Sequence, residues 1–507
     1  MFDALIEALP AVLQTANLVS IVVGVVMGIF VGAMPGLGAT MAISVLIPFT
    51  FGLDPLVALG MMAGIYNGAM YGGSISAVLL RIPGTPAAVA TSFDGYPMAM
   101  SGRAGEALHV AVVSSAIGGM VSALSLMLLA PPLARITLAF GPPEVFWVAV
   151  FGLASIALLM GKDPVKGLLS ACIGLIVSLA GVDNITGYDR FTFGYLELAE
   201  GVNIVVLLVG LYALPPAFGL LEDADLKMAV VGSRKLAGSL LSSIPKMLGY
   251  WKTWVRGSLI GIFVGILPGA GGSLAAFLSY NEGKRAAKDP DSWGQGNPEG
   301  VAAAEVANNA DTAAAMIPAL TLGIPGTPVA ALVLGGLLIH GMQPGPMLFR
   351  EHPQVVYGFM IQLFISAALL LAFGGTLATR IFAKVLHLPR PILAAMVLSL
   401  MVVGVYAINT RMFDVYLMFG FGLVGYAMER LGMPLAPAVL GLILGEYAEF
   451  NLRLSLRMSR SDWSILWTRP ICLVIIALIA AVFLWPLIGG RLARRKAARR
   501  NHAGGQP

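Results

Sequence analysis

The sequence predicts an all-α polytopic membrane protein of about 11–12 transmembrane helices, built as two inverted repeats with broken or re-entrant helices. Three observations predict it. Of 507 residues only 31 are Lys or Arg and 26 are Asp or Glu, 11% in all, against roughly 25% in soluble domains. Hydrophobic residues make up 58% and mean hydropathy is +0.86, too apolar to coat a soluble globule of this length with charge. Glycine reaches 61 residues, with 31 prolines, where about 7% glycine is usual. In lipid every backbone polar group needs an internal partner, so the spans are helices rather than an open sheet. The surplus of Gly and Pro marks places where those helices break.

Other totals narrow the function classes. The net charge of +5 sits in short loops and in a tail carrying Arg491, Arg494, Arg495, Lys496, Arg499 and Arg500. That is the positive-inside bias of a membrane protein, not a nucleic-acid surface. Cys172 and Cys472 lie in apolar runs, as small core residues, with neither disulfide nor metal-ligand spacing. The five His are scattered singly, and the chain has no P-loop and no nucleophile elbow. An enzyme and an ATP-driven pump are both disfavoured, and no cofactor is implied. The acidic start, Met1-Phe2-Asp3-Ala4-Leu5-Ile6-Glu7, lacks the basic region of a signal peptide, so the first apolar run is expected to stay in the membrane.

Apolar runs occur at 11–34, 108–130, 144–160, 165–182, 202–221, 355–374, 392–407, 414–428, 434–448 and 470–489. Around 35–100 and 255–345 shorter apolar pieces are punctuated by Pro-Gly and Gly-Gly. The division expected is a first transmembrane half at 1–221, a basic cytoplasmic linker at 222–256, a second half at 257–490 and a basic cytoplasmic tail at 491–507. The 183–200 loop holds Asp183, Asp189, Glu197 and Glu200 against Arg190 alone, which fits the outside. No Lys or Arg precedes Arg81, so the N-terminus reads as periplasmic.

The halves repeat. Residues 28–40 read GIFVGAMPGLGAT and residues 261–273 read GIFVGILPGAGGS. Asn67 to Pro86 then matches Asn309 to Pro328, both ending I-P-G-T-P. The offsets are 233 and 242, and the polar insert at 281–300 absorbs the difference. With one half starting outside and the other in the cytoplasm, the repeats are inverted, a common plan for secondary transporters with a midplane site.

Each motif has a physical reading. Pro35 removes a backbone donor; Gly36 and Gly38 permit positive φ and close approach. A helix restarting at Ala39-Thr40 presents amides without intrahelical partners, a place for an anion. Pro268, Gly269, Gly271, Gly272 and Ser273 repeat this. Thr85 and Thr327 are expected as N-caps ahead of Pro86 and Pro328. Backbone donors from four helix starts would bind a carboxylate. Glu305, Asn309 and Thr312 fall on one helical face, and polar residues inside a span are functional by default. Asn67, Ser74, Asn308, Asn309 and Thr312 are candidate oxygen ligands for a Na⁺ ion, with packing as the alternative. Arg81 either meets an anion or reaches the interface. Asp94, Arg103 and Glu106 are expected in a surface loop.

The segments GAMPGLGAT (32–40), YGGSISAVLLRIPGTPAAVATSFDGYPM (71–98), PEGVAAAEVANNA (298–310) and LTLGIPGTP (320–328) resemble the large membrane subunit of the tripartite tricarboxylate transporters, the TctA family. The resemblance spans nearly the whole chain. It implies a non-enzymatic permease of the bacterial inner membrane, driven by Na⁺ or H⁺ symport. It also implies a small TctB-like membrane subunit and a periplasmic TctC-like solute-binding protein as partners. The implied substrate is an organic acid, a di- or tricarboxylate or a related anion. The P-G-x-G motif maps onto Pro35, Gly36, Gly38, Pro268, Gly269 and Gly271, and the N-N pair onto Asn308 and Asn309. Asp311-Thr312 departs from the small residues expected there. An anion channel or a membrane scaffold without ion coupling is the alternative, though no ring of Lys or Arg marks a pore.

Overall fold

A computed structural model describes residues 2–34, 36–159, 163–183, 186–222, 240–375 and 389–481. Pro35, residues 223–239 of the expected linker and the basic tail lie outside the described residues. The chain begins with α1 (Phe2–Val12), α2 (Thr15–Ala33), α3 (Ala39–Thr50) and α4 (Pro55–Leu80). A 3-10 turn (Pro86–Ala88) leads to α5 (Val89–Met100), α6 (Ala104–Thr137), α7 (Pro142–Leu159), α8 (Pro164–Ser178) and α9 (Ile204–Glu222). The later part holds α10 (Leu240–Met247), α11 (Trp251–Ile266), α12 (Gly271–Ala286), α13 (Pro298–Ala314), α14 (Met316–Leu322), α15 (Pro328–Ile339) and α16 (Leu348–Glu351). It closes with α17 (Pro353–Phe373), α18 (Arg390–Asn409), α19 (Met412–Arg430), α20 (Ala436–Met458), α21 (Ile465–Thr468) and α22 (Pro470–Ala481). Among the described residues the one sheet is a hairpin of β1 (Gly181–Val182) and β2 (Asp189–Arg190).

Among the described residues five helices are long and apolar enough to cross a membrane: α2, α6, α9, α17 and residues Pro391–Asn409 of α18, with mean hydropathy from 2.0 to 2.3. Shorter apolar helices include α3, α8, α15 and α22. The 11–34 run is two helices, not one. The chain bends between Val12 and Thr15, where Asn17 Nδ2 donates to the freed Ala11 carbonyl at 2.7 Å. The linker also ends early, because α11 already runs from Trp251 and takes Lys252 and Arg256 into its first turns. Of the cysteines, Cys472 is buried as expected, but Cys172 is exposed on α8.

Close packing organises the interior. In lipid, helices gain little from hydrophobicity alone and associate through small residues that let backbones approach. On α2, Gly24, Gly28 and Gly32 form a stripe four residues apart, facing Gly64, Gly68 and Gly72 of α4. A Cβ at Gly28 would stand 2.5 Å from the Ile65 carbonyl oxygen. On α11, Gly257, Gly261 and Gly265 form the same stripe against Val306, Ala310 and Ala314 of α13. A Cβ at Gly261 would stand 2.5 Å from the Ala307 carbonyl oxygen. Gly28 precedes Gly261 by 233 residues and Ile65 precedes Ala307 by 242, the offsets of the sequence motifs. The matched segments therefore share a packing geometry, not only letters.

Two polar devices position these helices. The Ser122 hydroxyl of α6 donates to Ala310 O at 2.5 Å and accepts from Ala314 N at 2.9 Å. It stands between a carbonyl and an amide that an unbroken helix pairs directly. A side chain inserted into the ladder is a recognised cause of helix breaks, and α13 gives way to α14 at Ala315.

Asp94 is the second device. Expected in a surface loop, it is fully buried on α5. Its Oδ1 accepts from the amides of Gly294, Gly296 and Asn297 at 2.8, 2.9 and 2.7 Å, and its Oδ2 from Tyr280 at 2.8 Å. It gathers the 281–300 insert into a fixed loop that starts α13, whose first turn Asn297 caps through Glu299 N at 2.9 Å. Asp94→Ala is expected to cost about 3 kcal/mol, since bonds to a charged acceptor are strong and three amides lose their partner. Hydrogen exchange checks it: the Gly294, Gly296 and Asn297 amides should exchange faster than in the wild type.

Candidate functional site: the broken helix starts

Both P-G-x-G segments end a helix in the same way. Met34 caps α2 at φ −89, ψ 119, and Leu267 caps α11 at φ −80, ψ 117. Their amides return to Val31 O at 3.1 Å and Val264 O at 3.0 Å. Gly36 follows at φ +88 and Gly269 at φ +84, a backbone that residues with a Cβ rarely adopt. The next helices then start differently. Gly38 is extended at φ −111 and α3 opens at Ala39, whereas Gly271 is left-handed at φ +67 and α12 opens there. At Gly36, Gly38 and Gly271 an added Cβ would meet no atom within 4 Å. Open space lies in front of both starts, and Thr40 and Ser273 are partly exposed beside it.

The I-P-G-T-P segments return to the same helices. Gly84 packs on the Gly32 carbonyl, and its amide donates to Gly73 O at 3.3 Å. Gly326 packs on the Gly265 carbonyl, and its amide donates to Ala315 O at 3.4 Å. In the second segment the two motifs also join directly, Gly269 N donating to Gly326 O at 3.0 Å. The halves then cross over. Helix α3 packs against α15, and α12 packs against the 3-10 turn and α5. Each restarted helix thus lies beside the chain that follows the other half's I-P-G-T-P.

The two threonines part company. Thr327 caps α15, its Oγ1 accepting from Ala330 N at 3.1 Å and lying 3.1 Å from Tyr66 Oη. Thr85 precedes a 3-10 turn, caps nothing with its side chain, and its buried Oγ1 has no partner. The expected cap at Thr85 is corrected. Its position matches Thr327, but a 3-10 turn follows Thr85 where an α-helix follows Thr327.

The polar face of α13 is divided among neighbours. Glu305 accepts from Thr91 and, at 2.8 Å, from Ser115. Asn67 is engaged as a link between helices: Nδ2 donates to Leu363 O at 3.2 Å and Ser366 Oγ at 2.8 Å, and Oδ1 lies 3.2 Å from Thr312 Oγ1. Ser74 donates back to Tyr71 O at 2.6 Å. Asn308, Asn309 and Asp311 are different. All three are fully buried, and Asn308 Oδ1, both side-chain atoms of Asn309 and both oxygens of Asp311 lack a hydrogen bond of full geometry. Asn308 Nδ2 reaches Met70 O at 3.4 Å.

Arg81 ends α4 at φ +59 with its guanidinium over the Tyr96 ring at 5.6 Å. The matching position of the second half is Gly323, at φ +72. Elsewhere, a cavity of about 930 Å³ opens beside the β-hairpin and reaches Gly323 and Pro344. At its mouth Arg190 pairs with Glu449 and Arg453 with Asp183, both at 2.8 Å. Tyr188, Phe191, Phe193 and Tyr195 project from this hairpin region.

Residues 18–440 match the Tripartite tricarboxylate transporter TctA family. The chain belongs to the TctA family. Two relatives come from Agrobacterium vitis. One, an uncharacterized 52.8 kDa protein in the 3′ region of TAR-I ttuC′, is 38% identical over 95% of either chain. The other, an uncharacterized protein in the 3′ region of TAR-II ttuC′, is 37% identical over 43% of this chain and 90% of its own. No solved structure matches. As a TctA-family member with several apolar helices, the chain is a multi-pass membrane protein of a transporter family, not of an enzyme family. Sequence reasoning missed Ser122, Asp94 and Tyr66, whose partners lie 186 or more residues away.

Proposed function

We propose that this TctA-family chain is the permease subunit of a binding-protein-dependent secondary transporter that imports an organic acid by symport with Na⁺ or H⁺. A small membrane subunit and a periplasmic solute-binding protein complete it. The observation that carries the reading is the crossed pair of restarted helices, with uncrowded glycines at both breaks. Such starts favour anions through the helix dipole and free N–H groups, so a substrate carboxylate is held without a fixed cationic side chain. Pro35, Gly36, Gly38, Ala39, Thr40 and Thr85 would contribute from one half, and Pro268, Gly269, Gly271, Gly272, Ser273 and Thr327 from the other.

The shared packing of α2 on α4 and of α11 on α13 supports a duplicated origin, and the loop charges support opposite orientations. Inverted halves with broken helices at the midplane suit alternating access. The cavity beside the 183–200 hairpin suits an outer vestibule. Uptake into proteoliposomes holding all three components tests the reading. Accumulation of the acid retained by the binding protein is expected, and it should vanish when the Na⁺ and proton gradients are both collapsed. Accumulation indifferent to both gradients would contradict it.

A further inference from the structure

The internal match fails where a charge is at stake. Position 69 of α4 is alanine; its counterpart on α13 is Asp311. Asp311 is fully buried, in a segment that runs beside two helices of the apolar interior. Its Oδ1 lies 3.1 Å from the position a Cβ at Gly265 would take, and its Oδ2 3.3 Å from that of Gly272. Asn308 Oδ1 and Asn308 O come within 2.9 and 3.5 Å of the same Gly272 position. Three oxygens therefore line the first turn of the 16-residue helix α12, at a glycine with no side chain to keep them apart. No hydrogen bond of full geometry reaches either Asp311 oxygen or Asn308 Oδ1, and the Gly272 amide is the donor turned toward the Asp311 carboxylate.

We infer that Asn308, Asp311 and Gly272 form a site for one small cation, Na⁺, with Asp311 supplying the charge. The duplicated helix starts are then divided in labour. Until the cation neutralises Asp311, a substrate carboxylate at α12 would meet like charge. At α3 the counterpart is Ala69, so that start takes the substrate without it. A cluster of carboxylate, amide and carbonyl oxygens is of the kind that holds a coupling ion beside a broken helix, and an ionisable residue inside a span needs such a partner.

The groups around Asp311 agree. Helix α4 presents Tyr66, whose hydroxyl lies on Thr327; α6 presents Ser122; α11 and α12 present Gly265 and Gly272. Of the other carboxylates of α13, Glu305 already receives two hydroxyls and Glu299 receives one. Among the described residues no Lys, Arg or His pairs with Asp311. As the site of the coupling ion, it rests on the transport reading above.

Thermal unfolding of the purified full chain tests the site without substrate or partner. Replacing choline chloride by NaCl at constant ionic strength should raise the wild-type midpoint. Asp311→Asn should remove that dependence. Asn308→Ala, which deletes one oxygen and adds nothing, should raise the half-saturating Na⁺ concentration about tenfold. A wild-type midpoint indifferent to Na⁺, or an Asp311→Asn chain that tracks the wild type in the salt series, would overturn the inference. Should Asp311→Asn not yield folded protein, an unchanged response in Asn308→Ala overturns it. Uptake plays no part in these readouts, so the site can fail while the transport reading stands, and the reverse.

Discussion

Gly38→Val is expected to leave a folded, membrane-inserted chain whose uptake falls about tenfold or more, the cost of losing one or two good bonds to a charged ligand. The backbone at Gly38 is extended, φ −111 and ψ 177, a conformation that β-branched residues favour. No atom lies within 4 Å of the added Cβ, so neither strain nor clash follows. Stability should change by no more than about 0.5 kcal/mol, as for an unconstrained surface site. What the valine does is stand in front of the first free amides of α3, where a carboxylate would sit. Monodisperse extraction in detergent together with proteoliposome uptake reads both halves of the expectation. Normal uptake would remove α3 from the site. Gly36→Val is a poorer probe, because φ +88 strains any β-branched residue by about 1–3 kcal/mol and mixes folding with function.

Gly84→Val has the opposite character: it is expected to prevent folding. An added Cβ would overlap the Gly32 carbonyl oxygen and come within 2.9 Å of Ser76 Oγ and 3.0 Å of Gly73 Cα. Two of those three atoms are backbone, so relief requires lifting the I-P-G-T-P segment off both α2 and α4. The expected loss is about 4 kcal/mol or more, in the range reserved for gross overpacking. Gly326→Val should fail in the same way against the Gly265 carbonyl, 2.6 Å from its Cβ position. Loss of the protease-resistant folded fraction is the readout for both. A stable, folded Gly84→Val chain would contradict the packing described for the first half.

These two substitutions separate what the sequence makes legible from what it conceals. The breaks at Gly36 and Gly269 were legible because Pro and Gly act on their own local backbone. The repeat was legible because its two offsets stay constant, and the same offsets relate Gly32–Gly84 to Gly265–Gly326. Contacts made across the chain were not. Asp94 reads as a loop acid until three amides near residue 296 close around it, about two hundred residues away. Asn67 reads as an oxygen ligand, and only the fold shows that α17 also takes its Nδ2 through Leu363 O and Ser366, leaving Oδ1 toward Thr312. Thr85 and Thr327 look interchangeable in I-P-G-T-P, and only the fold sets a 3-10 turn after one and an α-helix after the other. The helical period placed Glu305, Asn309 and Thr312 on one face correctly, but three different helices cover that face.

The central claim is that a substrate anion occupies the open space ahead of α3. It is tested most directly by a cysteine at that point. In a chain lacking Cys172 and Cys472, Gly38→Cys is labelled with a small maleimide within the reconstituted three-component complex. The label is applied with and without the acid that the binding protein retains. Occupancy of the helix start predicts slower labelling when the acid and a driving gradient are present, reversed when the acid is washed out. A labelling rate that the acid leaves unchanged, in a complex that still accumulates it, would contradict the account.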